Sequence, residues 1–150
     1  TDRHAPQVAS VGLPFLIVEV ASRDALGRAK PDAAAFSRTL PSAGTDAIYF
    51  YTRDVPPSEG PLDLQARMFH PGAAGLSEDP ATGSATSAAA ALLAELDAIG
   101  DGEVKLRIGQ GFDMGRPSLL LTRVVKKNGA AASTHVGGNC VQMMEGTLRV

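Results

Sequence analysis

One cysteine in 150 residues, Cys140, leaves nothing for an internal disulfide framework and too few thiolates for a zinc cluster. That usage fits a reducing cytosol, so a cytoplasmic protein is expected. Histidine is sparse too. His4, His70 and His135 lack the i, i+4 spacing of a helical metal site, and no metal is assigned. Apolar runs never reach the ~18 residues of a membrane span, and no secretory h-region appears. The longest candidate, from Ala85 to Leu96, is short and is broken by Glu95 and Asp97. Basic charge is not in excess: 14 Lys and Arg against 16 Asp and Glu give a net charge of −2. No basic surface therefore recommends nucleic acid or an anionic membrane as partner, whereas a small neutral or anionic ligand is compatible with one locally positive site. What is present, 44% hydrophobic and 20% charged residues, is the composition of an ordinary soluble globular domain. Because the chain opens on Thr1 rather than Met, it is expected to be a processed, tagged or truncated piece.

Leu13 to Val20 is apolar and branched, and reads as a buried strand. Pro31 to Leu40 reads as a short helix with Pro31 at its first position. Asp46 to Thr52 and Leu62 to Phe69 read as strands, separated by a proline-rich loop. Residues 82–99 are dominated by alanine and leucine and end at Gly100-Asp101-Gly102, which predicts a helix with a glycine stop. Ser84 to Ala91 has no bulky face, so this helix is expected to be enclosed by close neighbours. Glu103 to Ile108, Ser118 to Val125, Ala131 to Val136 and Val141 to Val150 read as a closing meander. Cys140, Met143 and Met144 are expected to pack within it. Strands grouped around one buried helix argue for an α+β fold.

The chemistry concentrates at the start of the long helix. A first helical turn offers unpaired N–H groups and partial positive charge to a carboxylate or phosphate. Thr82-Gly83-Ser84 adds hydroxyls and leaves those N–H groups uncovered. Asp79-Pro80 supports two readings: an N-cap followed by proline at the first position, or an acid that orients a substrate donor or accepts a proton. Ser84 lies outside a G-x-S-x-G elbow, which argues against an acyl-transfer nucleophile. Gly109 to Ser118 is glycine-rich, but Pro117 and Leu119-Leu120-Leu121 after it indicate a strand where a dinucleotide loop requires a helix. His70 reads as loop packing, and Arg67 as a partner for Glu78 or Asp79.

Gly12-Leu13-Pro14-Phe15-Leu16, Arg67-Met68-Phe69-His70-Pro71, Glu78-Asp79-Pro80-Ala81-Thr82-Gly83-Ser84-Ala85 and Gln110-Gly111 with Met114-Gly115-Arg116-Pro117-Ser118 occur in this order. Together they resemble the C-terminal half of the phenazine-biosynthesis isomerases, the PhzF-like proteins. The resemblance implies half of a diaminopimelate-epimerase-like fold, with a curved mixed or antiparallel sheet, a β-roll or barrel, wrapped around a central buried helix at about residues 82–99. It implies that residues 1–150 are one C-terminal domain whose N-terminal companion, bearing the principal glutamate acid/base, is absent. It also implies cofactor-independent isomerisation or epimerisation of a small carboxylic acid by proton transfer. Asp79 and Ser84 are then the catalytic positions, and Thr82, Gly83, Ser84 and Arg116 hold the substrate. The thiol mechanism of the cysteine-dependent epimerases is not expected, since Cys140 does not stand at the helix start. Alone, the chain should be a poor enzyme. The missing half or a second copy, as a homodimer, is the expected partner; the alternative is a non-catalytic small-anion-binding or self-associating domain that retains the fold.

Overall fold

A computed structural model of the chain describes residues 1, 3–73 and 75–149. Among these residues eight strands form one curled, half-barrel sheet: β1 (Gln7–Ser10), β2 (Pro14–Glu19), β3 (Ile48–Thr52), β4 (Leu64–Gly72), β5 (Gly75–Asp79), β6 (Gly102–Gln110), β7 (Ser118–Lys127) and β8 (Ala130–Gly137). Three α-helices accompany them: α1 (Arg23–Arg28), α2 (Ala33–Thr39) and α3 (Gly83–Leu96). The strand order is β1-β2-β3-β4-β6-β7-β8, with β5 paired to β4. β2–β3 and β4–β6 are parallel and the other pairs antiparallel, so the sheet is mixed. Asn128 and Gly129, at φ 54° and 77°, make the tight turn between β7 and β8.

Alternation along the strands assigns side chains to the two faces of the sheet. On one face Phe15, Ile17, Tyr49, Tyr51, Ala66, Met68 and Ile108 pack with Ala85, Ala88, Ala89 and Leu93 of α3. Ala90 and Ala94 meet Val104 and Val124 from the later strands. Residues Ala85 to Ala90 are all buried. Within this packing Tyr49 Oη and Thr86 Oγ1 share a hydrogen bond of 3.1 Å. Burial pushes the Tyr49 phenol well above its ordinary range, with the Thr86 bond opposing. The other face is covered by α2, whose Phe36 and the following Leu40 pack on Phe69 and its neighbours Leu16, Ile48 and Phe50.

Arg67 joins the pieces. Its guanidinium donates to both carboxylate oxygens of Glu78 (2.8 and 2.7 Å) and to the carbonyls of Leu26, Gly27 and Ala29 (3.0, 3.1 and 3.0 Å). It also lies over the Phe69 ring, 4.9 Å from the centroid. A rigid, forked cation thus satisfies the carbonyl end of α1 while tying β4 to β5. The Glu78 hydrogen bonds raise the Arg67 pKa further, and burial opposes them. Of the two carboxylates offered by the sequence, Glu78 is its partner.

Several expectations are corrected. α3 stops at Leu96, before Gly100, because Asp97 takes extended backbone and buried Lys126 donates to the carbonyls of Asp97 and Ile99 (2.9 and 2.6 Å). Pro31 precedes the N-cap of α2; the cap is Asp32, which accepts from the Ala35 N–H at 2.6 Å. β1, β5 and α1 carry too few apolar residues to stand out in the sequence. The expected strand at Val141–Val150 is absent through residue 149, and Val150 itself lies outside the described residues. Without strand neighbours Cys140 is exposed, as are Met143 and Met144 at 82% and 91%. His70 belongs to β4 rather than to a loop. Arg67→Met is expected to cost about 3 kcal/mol in urea denaturation, because half-buried Glu78 loses its cation and the carbonyls of Leu26, Gly27 and Ala29 lose their donor. Lys126→Met should cost about 1–3 kcal/mol, by uncovering two carbonyls at the end of α3.

Candidate functional site

Asp79 ends β5, and the chain then turns through Pro80 and Ala81 into α3. The N-cap is Thr82, whose side chain makes no capping hydrogen bond to the first turn of the helix. Asp79 is therefore not the N-cap that its Asp-Pro context suggests. Its carboxylate accepts from the Ala81 N–H (3.2 Å) and from the Thr82 hydroxyl (2.8 Å), which fixes it beside the helix start.

This turn is held from a distance by Gln110, a fully buried residue at the end of β6. Its Nε2 donates to the Asp79 carbonyl (2.6 Å) and to Thr82 Oγ1 (3.0 Å), while its Oε1 accepts from the Thr82 N–H (3.2 Å). Since the Thr82 hydroxyl accepts from Gln110, its own hydrogen is free to point at Asp79. The order Gln110, Thr82, Asp79 is thus a directed chain of hydrogen bonds. Gly111 makes the approach possible: at φ 79°, a Cβ there would collide with the Arg116 carbonyl and stand 2.9 Å from that of Pro80.

Two hollows flank the helix start. The first, about 340 Å³, is lined by Asp79, Thr82 and Ser84 together with Asp46, His70 and an apolar wall that includes Phe15 and Met68. That volume lies at the small end of ligand sites. The second, about 760 Å³, is bounded by Ala81, Gly83, Arg116 and the exposed segment after β8. The structure therefore brings Asp79, Thr82 and Ser84 together, with Ser84 exposed, and sets Gly83 and Arg116 on the other side of the same helix end. Among the described residues no group of three His, Cys, Asp or Glu side chains is arranged to hold a metal ion. Nor is any helix among them long and apolar enough to cross a membrane.

The model of the family described as "Phenazine biosynthesis-like protein" matches residues 1–146. This chain belongs to that family. An uncharacterized isomerase of Mesorhizobium japonicum is 35% identical over 150 residues, 98% of this chain and 49% of the relative. The trans-2,3-dihydro-3-hydroxyanthranilate isomerase of Pseudomonas chlororaphis is 39% identical over 84 residues, 56% of this chain and 30% of that protein. A PhzF-family phenazine biosynthesis protein of Bacillus anthracis has the same fold, with a TM-score of 0.69 at 22% identity, over 85% of this chain and 46% of its own. The chain thus spans about half the length of the relatives it matches.

Gln110, His70 and Asp46 were not assigned to the site from the sequence. Gln110 was legible as part of the Gln-Gly motif of the phenazine biosynthesis-like family, yet its role depends on the register of β6 against β4, where Ala66 is its partner. His70 is visible only through the pleat: Met68 opposes Asp79 and His70 opposes Ser77, so His70 shares a face with Met68 one diagonal from Asp79. Gln110→Met should cost about 1–3 kcal/mol, through unpaired groups on Asp79 and Thr82. Hydrogen exchange at the Thr82 amide should quicken more than at the Ala89 amide in mid-helix.

Proposed function

We propose that this chain is the second domain of a cofactor-independent isomerase or epimerase that moves a proton on a small carboxylic acid. In this reading the curled sheet around α3 is one half of a diaminopimelate-epimerase-like fold. The observation that carries it is the uncapped first turn of α3, opening on a small cleft with Asp79, Thr82 and Ser84 on its wall. The helix end supplies N–H donors and positive potential to the substrate carboxylate without a lysine or arginine. Gly83 and Ser84 hold the anion, and Arg116 adds charge from the neighbouring hollow. Thr82, expected from the sequence to bind it too, spends its N–H on Gln110 and its hydroxyl hydrogen on Asp79 and so supports the turn instead. Asp79, pinned by Thr82 and Ala81, has the fixed orientation that proton transfer to or from a bound carbon acid needs. Membership of the phenazine biosynthesis-like family and the isomerase names of two relatives support the reaction class.

The principal acid/base lies, in this reading, on a companion half that the relatives' greater length accommodates. The companion docks on the apolar surface around the second hollow, where Leu119, Leu121, Val136, Val141 and Met143 are exposed by 39% to 82%. A second copy of the chain is the other partner such a surface accepts, and a dimer is expected in sedimentation; a clean monomer would count against it.

The decisive measurement is deuterium exchange at the carbon alpha to a carboxylate, with and without a segment supplying the companion half. Exchange should need both parts, and robust exchange by this chain alone overturns the division of labour. In the completed protein Asp79→Asn should lower the exchange rate by about 100-fold or more, the scale of a lost acid/base group. Carboxylate binding should persist in that variant. A pure anion binder would change only its affinity.

A further inference from the structure

Resting on the carboxylate reading of the helix end, we infer that His70 is a substrate-contacting residue that selects acids bearing a hydrogen-bond donor, such as a hydroxyl or amine. His70 lines the same cleft as Asp79, Thr82 and Ser84. Its ring is not free to choose between tautomers. Nδ1 stands 2.7 Å from the carbonyl oxygen of Pro71. A carbonyl only accepts, so Nδ1 carries the hydrogen, and in the neutral ring Nε2 is left with a lone pair. No protein partner among the described residues engages Nε2. Half-buried on β4, His70 brings that one acceptor to the cleft on a rigid element.

The other polar groups there sharpen the choice. Asp46 and Asp79 are the carboxylates that line this cleft, and Thr82 has its hydroxyl hydrogen committed to Asp79. Apart from the N–H groups of the helix end and the Ser84 hydroxyl, the wall is thus made of acceptors. A ligand whose carboxylate meets the helix end presents its remainder to Nε2 and these carboxylate oxygens. Donors on that remainder are satisfied; bare carbon or a second anion is not. His70 therefore reads a feature of the substrate separate from the carboxylate. A hydroxyl or ammonium hydrogen-bonded to Nε2 is the complementary group.

The test uses the whole chain, with benzoate and the ortho, meta and para hydroxybenzoates as probes, followed by amide and imidazole nitrogen NMR. The Gly83 and Ser84 amides should respond to every probe. At least one hydroxybenzoate should bind about five-fold more tightly than benzoate, the worth of one hydrogen bond, and only that probe should move the Nε2 resonance. His70→Ala should erase the preference, so that the favoured hydroxybenzoate and benzoate bind that variant equally. His70→Gln, whose side-chain oxygen reaches the Nε2 position, should restore most of it, whereas His70→Asn should not. If the Gly83 and Ser84 amides respond but no hydroxybenzoate is preferred, or the preference survives His70→Ala, the role of His70 is overturned alone. If those amides respond to no probe, the carboxylate reading falls and this inference with it.

Discussion

α3 packs closely on the sheet because most of its own side chains there stop at Cβ. Ala85, Ala88 and Ala89 meet β2, β3 and β4, while Ala90 and Ala94 meet β6 and β7. Larger residues on either flank would push those strands outward and open the curl. The larger volume comes instead from the sheet, through Tyr49, Tyr51, Phe15 and Ile108, so the helix is filled around rather than filled out. Such packing positions the helix closely, and the position of its first turn follows. Where the alanines run out, at Gly83 and Ser84, the helix emerges between two hollows with its N–H groups uncovered.

The polar framework serves the same end by a different route. Arg67 fixes β5 through Glu78, one residue ahead of Asp79, and Gln110 fixes the turn that follows. Asp79 is thereby clamped from both sides by residues that do not line its cleft. The clamp acts on the backbone as well as on the carboxylate, since Gln110 engages the Asp79 carbonyl and the Thr82 amide. Both supports are buried, where a hydrogen bond left unmade is costly, so the geometry is stiff.

What the sequence disclosed follows from how local each signal is. α3 was legible from its alanine run, and β2, β3, β4, β6, β7 and β8 from their apolar content. β5 was not: Gly-Leu-Ser-Glu-Asp has one apolar side chain, and it is a strand because β4 supplies its partner. The Val141 segment shows the converse, a strand-like pattern without a neighbouring strand to complete it. At the site, Thr82, Ser84 and Asp79 were legible as a group through their motif. That Asp79 answers to Thr82 instead of capping α3 was not, because local chemistry favours the cap and Gln110, distant in sequence, decides otherwise. Arg116 was placed with this group through the Met114 to Ser118 loop of the family resemblance, and it lines the other hollow.

The parallel ladder between β4 and β6 is short, with three paired positions from Leu64↔Ile108 to Ala66↔Gln110. It encloses everything between: β5, the Asp79 turn and α3. Closing so long a segment costs chain entropy before any pairing returns it, which makes this step slow relative to forming the β6–β7 hairpin or the helix. Gln110 is the last pair of that ladder, so the turn acquires its clamp only when the ladder is complete. The cleft is therefore a late product of folding. A chain with native secondary structure but an open β4–β6 seam would hold every residue of the site and the local contacts of Asp79, without the Gln110 clamp that fixes their turn.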